Sequence, residues 1–152
     1  MLSCSYKNYY PILVFVVIMF LGCSRNKDDS ELNISTLLQK RYEKLLNYEI
    51  DSLAFPRSYS YKDKLVKKVP SNDWTSGFFA GNLWQLYNLT GNQAYIKKAE
   101  LWTAFIEKEK FNNRTHDMGF KVYNSFGNGI KIKENIQYED IIVESAKTLS
   151  TR

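Results

Sequence analysis

Two short segments hold the side chains best suited to chemistry: Trp74-Thr-Ser-Gly-Phe-Phe-Ala-Gly-Asn-Leu-Trp84 and His116-Asp-Met-Gly-Phe120. Aromatic rings offer flat apolar faces of the kind that sugar rings stack on, and a carboxylate beside an imidazole can move protons. Each candidate also has a plainer role. Trp74 could serve as a core aromatic, Asp117 as a helix N-cap before Met118-Gly119, and His116 as a hydrogen-bonded loop residue. Neighbouring residues on a helix or strand do not face one way, so His116 and Asp117 need not act together. Gly77, Phe78, Gly119 and Phe120 are assigned to packing.

Other chemistries are closed off by composition. The chain has one histidine and two cysteines, which rules out a multi-histidine metal site, and no metal or cofactor is expected. A length of 152 residues with 44% hydrophobic and 15% aromatic content suits one packed domain. The net charge of +5 is spread through Lys67-Lys68, Lys97-Lys98 and Lys108/Lys110 among interleaved acids. That distribution reads as a solvated surface and not as a nucleic-acid interface.

The first residues read as an export signal. Lys7 precedes an uninterrupted apolar run from Ile12 to Leu21, too short for the ~20 residues that span a bilayer. Gly22-Cys23 resembles the lipobox of bacterial lipoproteins, which implies a signal peptide at 1–22, lipidation at Cys23 and a tether over 23–34. The protein is then expected to be an exported, membrane-anchored lipoprotein of the periplasm or cell surface. Ordinary secretion with an incidental cysteine is the alternative.

The elements that must position the two segments follow from periodicity. Leu38, Tyr42, Leu45 and Leu46 predict an amphipathic helix from Ser35 that stops near Phe55-Pro56. Arg57 to Asp73 is polar and rich in Tyr and Lys, and is expected to be a loop. Phe78 to Asn88 is apolar nearly all round and predicts a helix buried on several faces. Thr90-Gly91-Asn92 breaks it, with Asn92 as the next N-cap, and Tyr95, Ala99, Trp102, Phe105 and Ile106 mark the core face of an outer helix.

The organisation then recurs. Gly119-Phe120 stands 42 residues after Gly77-Phe78, and Asn135-x-x-Tyr138 stands 43 after Asn92-x-x-Tyr95. A helical hairpin repeated at this interval is longer than the ~34-residue tetratricopeptide unit and suits stacked hairpins or a toroid of them. Aromatic inner helices favour the toroid, whose inner helices wall a closed pocket. No stretch shows period-two alternation long enough for a sheet.

The motifs Trp74-x-x-Gly-Phe-x-x-Gly-x-Leu-Trp84, Leu89-Thr-Gly-Asn-x-x-Tyr95 and His116-Asp-Met-Gly-Phe120 together resemble the unsaturated glucuronyl hydrolases, glycoside hydrolase family 88, from about Asp73 to Arg152. The resemblance implies an all-α fold of helical-hairpin repeats, the N-terminal part of an (α/α)6 barrel, over residues 35–152. It implies an enzyme that releases unsaturated glucuronic acid from lyase-generated oligosaccharides by hydrating the C4=C5 double bond. Asp117 matches the first of two essential aspartates and Trp74 an aromatic of the sugar subsite; His116, adjacent to Asp117, is expected to bind substrate or to orient Asp117. The second aspartate of the family lies beyond the segment matching Ser150-Thr151-Arg152, so the chain is expected to be an incomplete, inactive fragment. The expected partners are an unsaturated uronic-acid oligosaccharide and, through the anchor, a membrane. A lipid-anchored glycan-binding protein and an unsaturated rhamnogalacturonyl hydrolase are the alternatives.

Overall fold

The computed structural model describes residues 28–152, so the expected signal peptide, Cys23 and the first part of the expected tether lie outside the described residues. One compact unit comprises Ser35–Arg152. Helix α1 spans Asp28–Leu46 and therefore begins inside the stretch expected as a tether. It also ends nine residues before Phe55, short of the expected stop near Phe55-Pro56; the apolar Ile50 and Leu53 in between are exposed and offer no packed face to extend it. The Lys98 ammonium closes its C-terminus, donating to the carbonyls of Leu46, at 2.7 Å, and Tyr48. A cation suits the negative end of the helix dipole.

The segment expected to be a loop is instead an antiparallel hairpin, β1 (Phe55–Ser60) and β2 (Leu65–Val69), with a bulge between Pro56 and Ser58. Alternation hid it because the hairpin buries almost nothing. Phe55 alone is fully inside, set edge-on to Trp102 at 5.4 Å, with its partner Val69 packed against the core. Lys64 takes the left-handed conformation that closes the turn, where Ser60 donates to Asp63 at 2.7 Å.

Two helical hairpins make the rest. The first pairs α2 (Ser76–Thr90) with α3 (Gln93–Ala104). Gly91 ends α2 with φ of 69°, a conformation open to glycine at no steric cost, and Asn92 caps α3 by accepting from Ala94 N–H at 2.9 Å. After a 3-10 turn at Glu107–Phe111, the second hairpin sets a π-helical segment, Gly119–Gly127, and α4 (Asn128–Ile132) against α5 (Ile136–Ser150). Asn135 caps α5 through Gln137 N–H at 3.0 Å, repeating the role of Asn92.

The core runs through both hairpins: Phe79, Leu83 and Trp84 of α2, Tyr95, Ala99 and Trp102 of α3, Val122 and Phe126 of the π segment, and Ile141 of α5. Trp84 satisfies its indole N–H on Thr103 at 3.0 Å. The two inner helices cross closely at Gly77 and Gly81, where added β-carbons would meet the backbone of Phe120, Lys121 and Asn124. That crossing sets how the two chemistry-bearing segments meet.

Candidate functional site

Trp74 lies in the turn that feeds α2, and that turn is fixed by its neighbour. Asp73 accepts the Thr75 backbone N–H at 2.8 Å and its hydroxyl at 2.5 Å, while its other oxygen meets Arg57 at 3.4 Å. Burial pushes the Asp73 carboxyl up, but the Thr75 hydrogen bonds, Arg57 and Lys121 outweigh it and hold the group below the usual carboxylate range. Asp73 thus stays ionised and occupied; it anchors the turn.

Asp117 occupies the turn before the π-helical segment. The N-cap alternative does not hold: the segment starts without a side-chain cap, and the Asp117 carboxylate meets the Thr115 hydroxyl at 3.3 Å. Thr115 does the local capping, accepting Asp117 N–H at 3.1 Å. The Asp117 carbonyl receives the N–H groups of Phe120, at 3.1 Å, and Lys121, at 3.4 Å. His116 is exposed beside it, with no hydrogen bond to Asp117.

What joins the two segments is aromatic. Trp74 meets Phe78 edge-on at 5.9 Å and Phe120 at 5.6 Å, and Phe78 stacks on Phe120 at 5.9 Å. The three rings are 42%, 36% and 49% exposed, whereas Trp84 and Trp102 are fully buried. This removes the plainer alternative for Trp74 and corrects the expectation for Phe78 and Phe120. Trp74 is not a core aromatic, and Phe78 and Phe120 are not core packing residues; they form an exposed ring surface one turn from Asp117. Gly77 and Gly119, expected alike to serve packing, part company: Gly77 sits at the helix crossing and Gly119 faces open space.

Beneath the rings lies a polar cluster that sequence reasoning missed. Glu109 accepts from Ser71 at 2.6 Å, from Asn112 at 2.7 Å and from the Lys121 ammonium at 3.4 Å. Burial raises the Glu109 carboxyl, and these hydrogen bonds together with the Lys121 charge more than reverse it, holding it below the usual range. The available signal was a lysine placed among Met118, Phe120, Val122 and Phe126, in a segment otherwise apolar enough to be an inner helix. Among the described residues no group of three or more His, Cys, Asp or Glu could hold a metal ion.

No family model matches the chain. It is 49% identical over 144 residues to an unsaturated glucuronyl hydrolase of Formosa agariphila, covering 92% of the chain and 36% of that protein. The crystal structure of an unsaturated glucuronyl hydrolase specific for heparin superposes with a TM-score of 0.73 at 30% identity, over 82% of this chain and 33% of the other. The unsaturated glucuronyl hydrolase from Streptococcus agalactiae, at 21% identity, shares the fold, with a TM-score of 0.64 over all of this chain and 36% of the other. The helical hairpins are therefore those of an (α/α)6 barrel. The chain spans about a third of the length of the relatives it matches, and over that span it is similar to unsaturated glucuronyl hydrolases.

Proposed function

We propose that the whole protein is a glycoside hydrolase that removes unsaturated glucuronyl groups from oligosaccharides of the kind polysaccharide lyases generate. One observation carries this reading: Trp74, Phe78 and Phe120 are brought from two repeats into one exposed aromatic surface, and Asp117 stands one turn before Phe120, its carbonyl accepting the Phe120 N–H at 3.1 Å. Sugar rings bind such surfaces through their apolar faces, and a carboxyl group one turn away is in place for acid–base work on the bound ring.

The chemistry fits a vinyl ether. Protonation at C4 of the C4=C5 bond develops positive charge at C5 next to the ring oxygen, and water adds there. The hemiketal formed opens and releases the remaining sugar. Two carboxyl groups in different protonation states are needed, one to donate the proton and one to support the cation or activate the water. Asp117 is one of them. Asp73 is not the other, since its oxygens are spent on Thr75 and Arg57. The second belongs to a further inner helix of the barrel. His116, exposed beside Asp117, is a substrate contact.

A uronate linked to a glycosaminoglycan-type sugar is the substrate class, supported by a structural relative specific for heparin. Export and anchoring at Cys23 suit an enzyme that meets polysaccharide fragments outside the cytoplasm. The test is direct: the protein extended over the full length of its relatives is incubated with unsaturated chondroitin, hyaluronan and heparin disaccharides. Loss of the ultraviolet absorbance of the conjugated double bond is expected with at least one. Binding without any loss would make the protein a glycan-binding module instead.

A further inference from the structure

We propose that Lys121 is a positioning residue, the centre of a buried brace with Glu109 that holds the Trp74 turn in register with the Asp117 turn. Lys121 is fully buried, and each part of it touches one half of the site. Its backbone N–H donates to the Asp117 carbonyl at 3.4 Å. Its ammonium donates to the carbonyl of Asn72, two residues before Trp74, at 3.4 Å, and to Glu109 at 3.4 Å. Glu109 in turn accepts from Ser71 in the same turn, and Ser76 at the start of α2 donates to the Ser71 carbonyl at 2.7 Å. The Lys121 peptide itself lies against Gly77, where the absence of a side chain lets the two inner helices approach.

An apolar side chain would fill this space at lower cost, because removing two charges from water is repaid only when geometry and hydrogen bonds are complete. Here they are nearly complete, and every bond made by the pair ends on the segment carrying Trp74 or on the elements flanking Asp117. The brace therefore fixes the spacing between the stacking surface and the carboxylate. It deepens the proposed function, since it rests on reading Trp74 and Asp117 as parts of one sugar site.

The chain carries its own probe: of its three tryptophans Trp74 is 42% exposed, while Trp84 and Trp102 are fully buried, so acrylamide quenching of emission reports on Trp74. Lys121→Met strands the Glu109 charge and lowers stability; Lys121→Met with Glu109→Gln removes the stranded charge and recovers much of it. In both variants the Trp74 quenching constant is expected to rise about twofold, as local opening of the unbraced turn increases. Ser71→Ala, which leaves both charges in place, should shift it the same way by less. Wild-type quenching in the double variant at recovered stability would overturn the brace and reduce the pair to a structural element. No sugar is needed, so this result is independent of turnover: a failed brace leaves the proposed hydrolase standing, and a failed hydrolase leaves the brace standing.

Discussion

A methyl group added at Gly77 would fall on the carbonyl oxygen of Lys121, within 2.6 Å of the Phe120 carbonyl oxygen and 2.7 Å of the Lys121 α-carbon. All three are backbone atoms of the facing inner helix, so no side chain can swing aside. Overpacking of a core costs about 3 kcal/mol when the neighbour cannot relax. Replacing a helical glycine by alanine returns about 1 kcal/mol of backbone entropy. Gly77→Ala should therefore destabilise the chain by about 2 kcal/mol, or about 8 °C in Tm for a domain of this size. Gly119, 42 residues later at the repeat-equivalent position, meets nothing within 4 Å, so Gly119→Ala should be neutral or slightly stabilising. Urea unfolding of the two variants against wild type measures both. If Gly77→Ala were as stable as wild type, the close crossing of the inner helices would be wrong, and with it the placement of Phe120 beside Trp74.

Glu109 should make the protein acid-sensitive. Its folded carboxyl is held below the ordinary 4.5, so the stabilisation it provides is complete above that value and disappears as pH falls through the depressed folded value. Glu109→Gln should be less stable near neutrality by about 2 kcal/mol, and the gap should close in acid, as Tm against pH will show. Asn135→Ala removes the cap accepting Gln137 N–H and should cost about 1 kcal/mol in urea unfolding. Trp74→Ala should leave Tm within about 1 °C, since the ring is exposed and a surface change alters stability little, while raising KM in the full-length enzyme.

The helical frame was legible because its signals are local. Gly91, Asn92 and Asn135 mark their helix ends by backbone conformation and by one hydrogen bond each, and the apolar stripe through Tyr95, Ala99 and Trp102 lies on one turn-to-turn face. The β-hairpin was not legible: its pairing is made by backbone groups, and its side chains, from Tyr59 to Leu65, stay in water and leave no alternation. The apolar character of Phe78 and Phe120 misled for the opposite reason. An exposed ring has the same letter as one packed in a core, and the contacts that bring Phe120 to Trp74 and Phe78 join residues more than 40 apart in the chain. The brace of Lys121, Glu109 and Ser71 joins residues up to 50 apart in the chain by contacts that no spacing rule encodes.

The central claim is that Asp117, set beside the Trp74, Phe78 and Phe120 surface, takes part in proton transfer to or from an unsaturated uronate. Asp117→Asn in the full-length protein keeps the shape and removes the titrating group. Loss of at least about a hundredfold in kcat with disaccharide binding retained is the predicted result. Turnover at the wild-type rate in that variant would contradict the account.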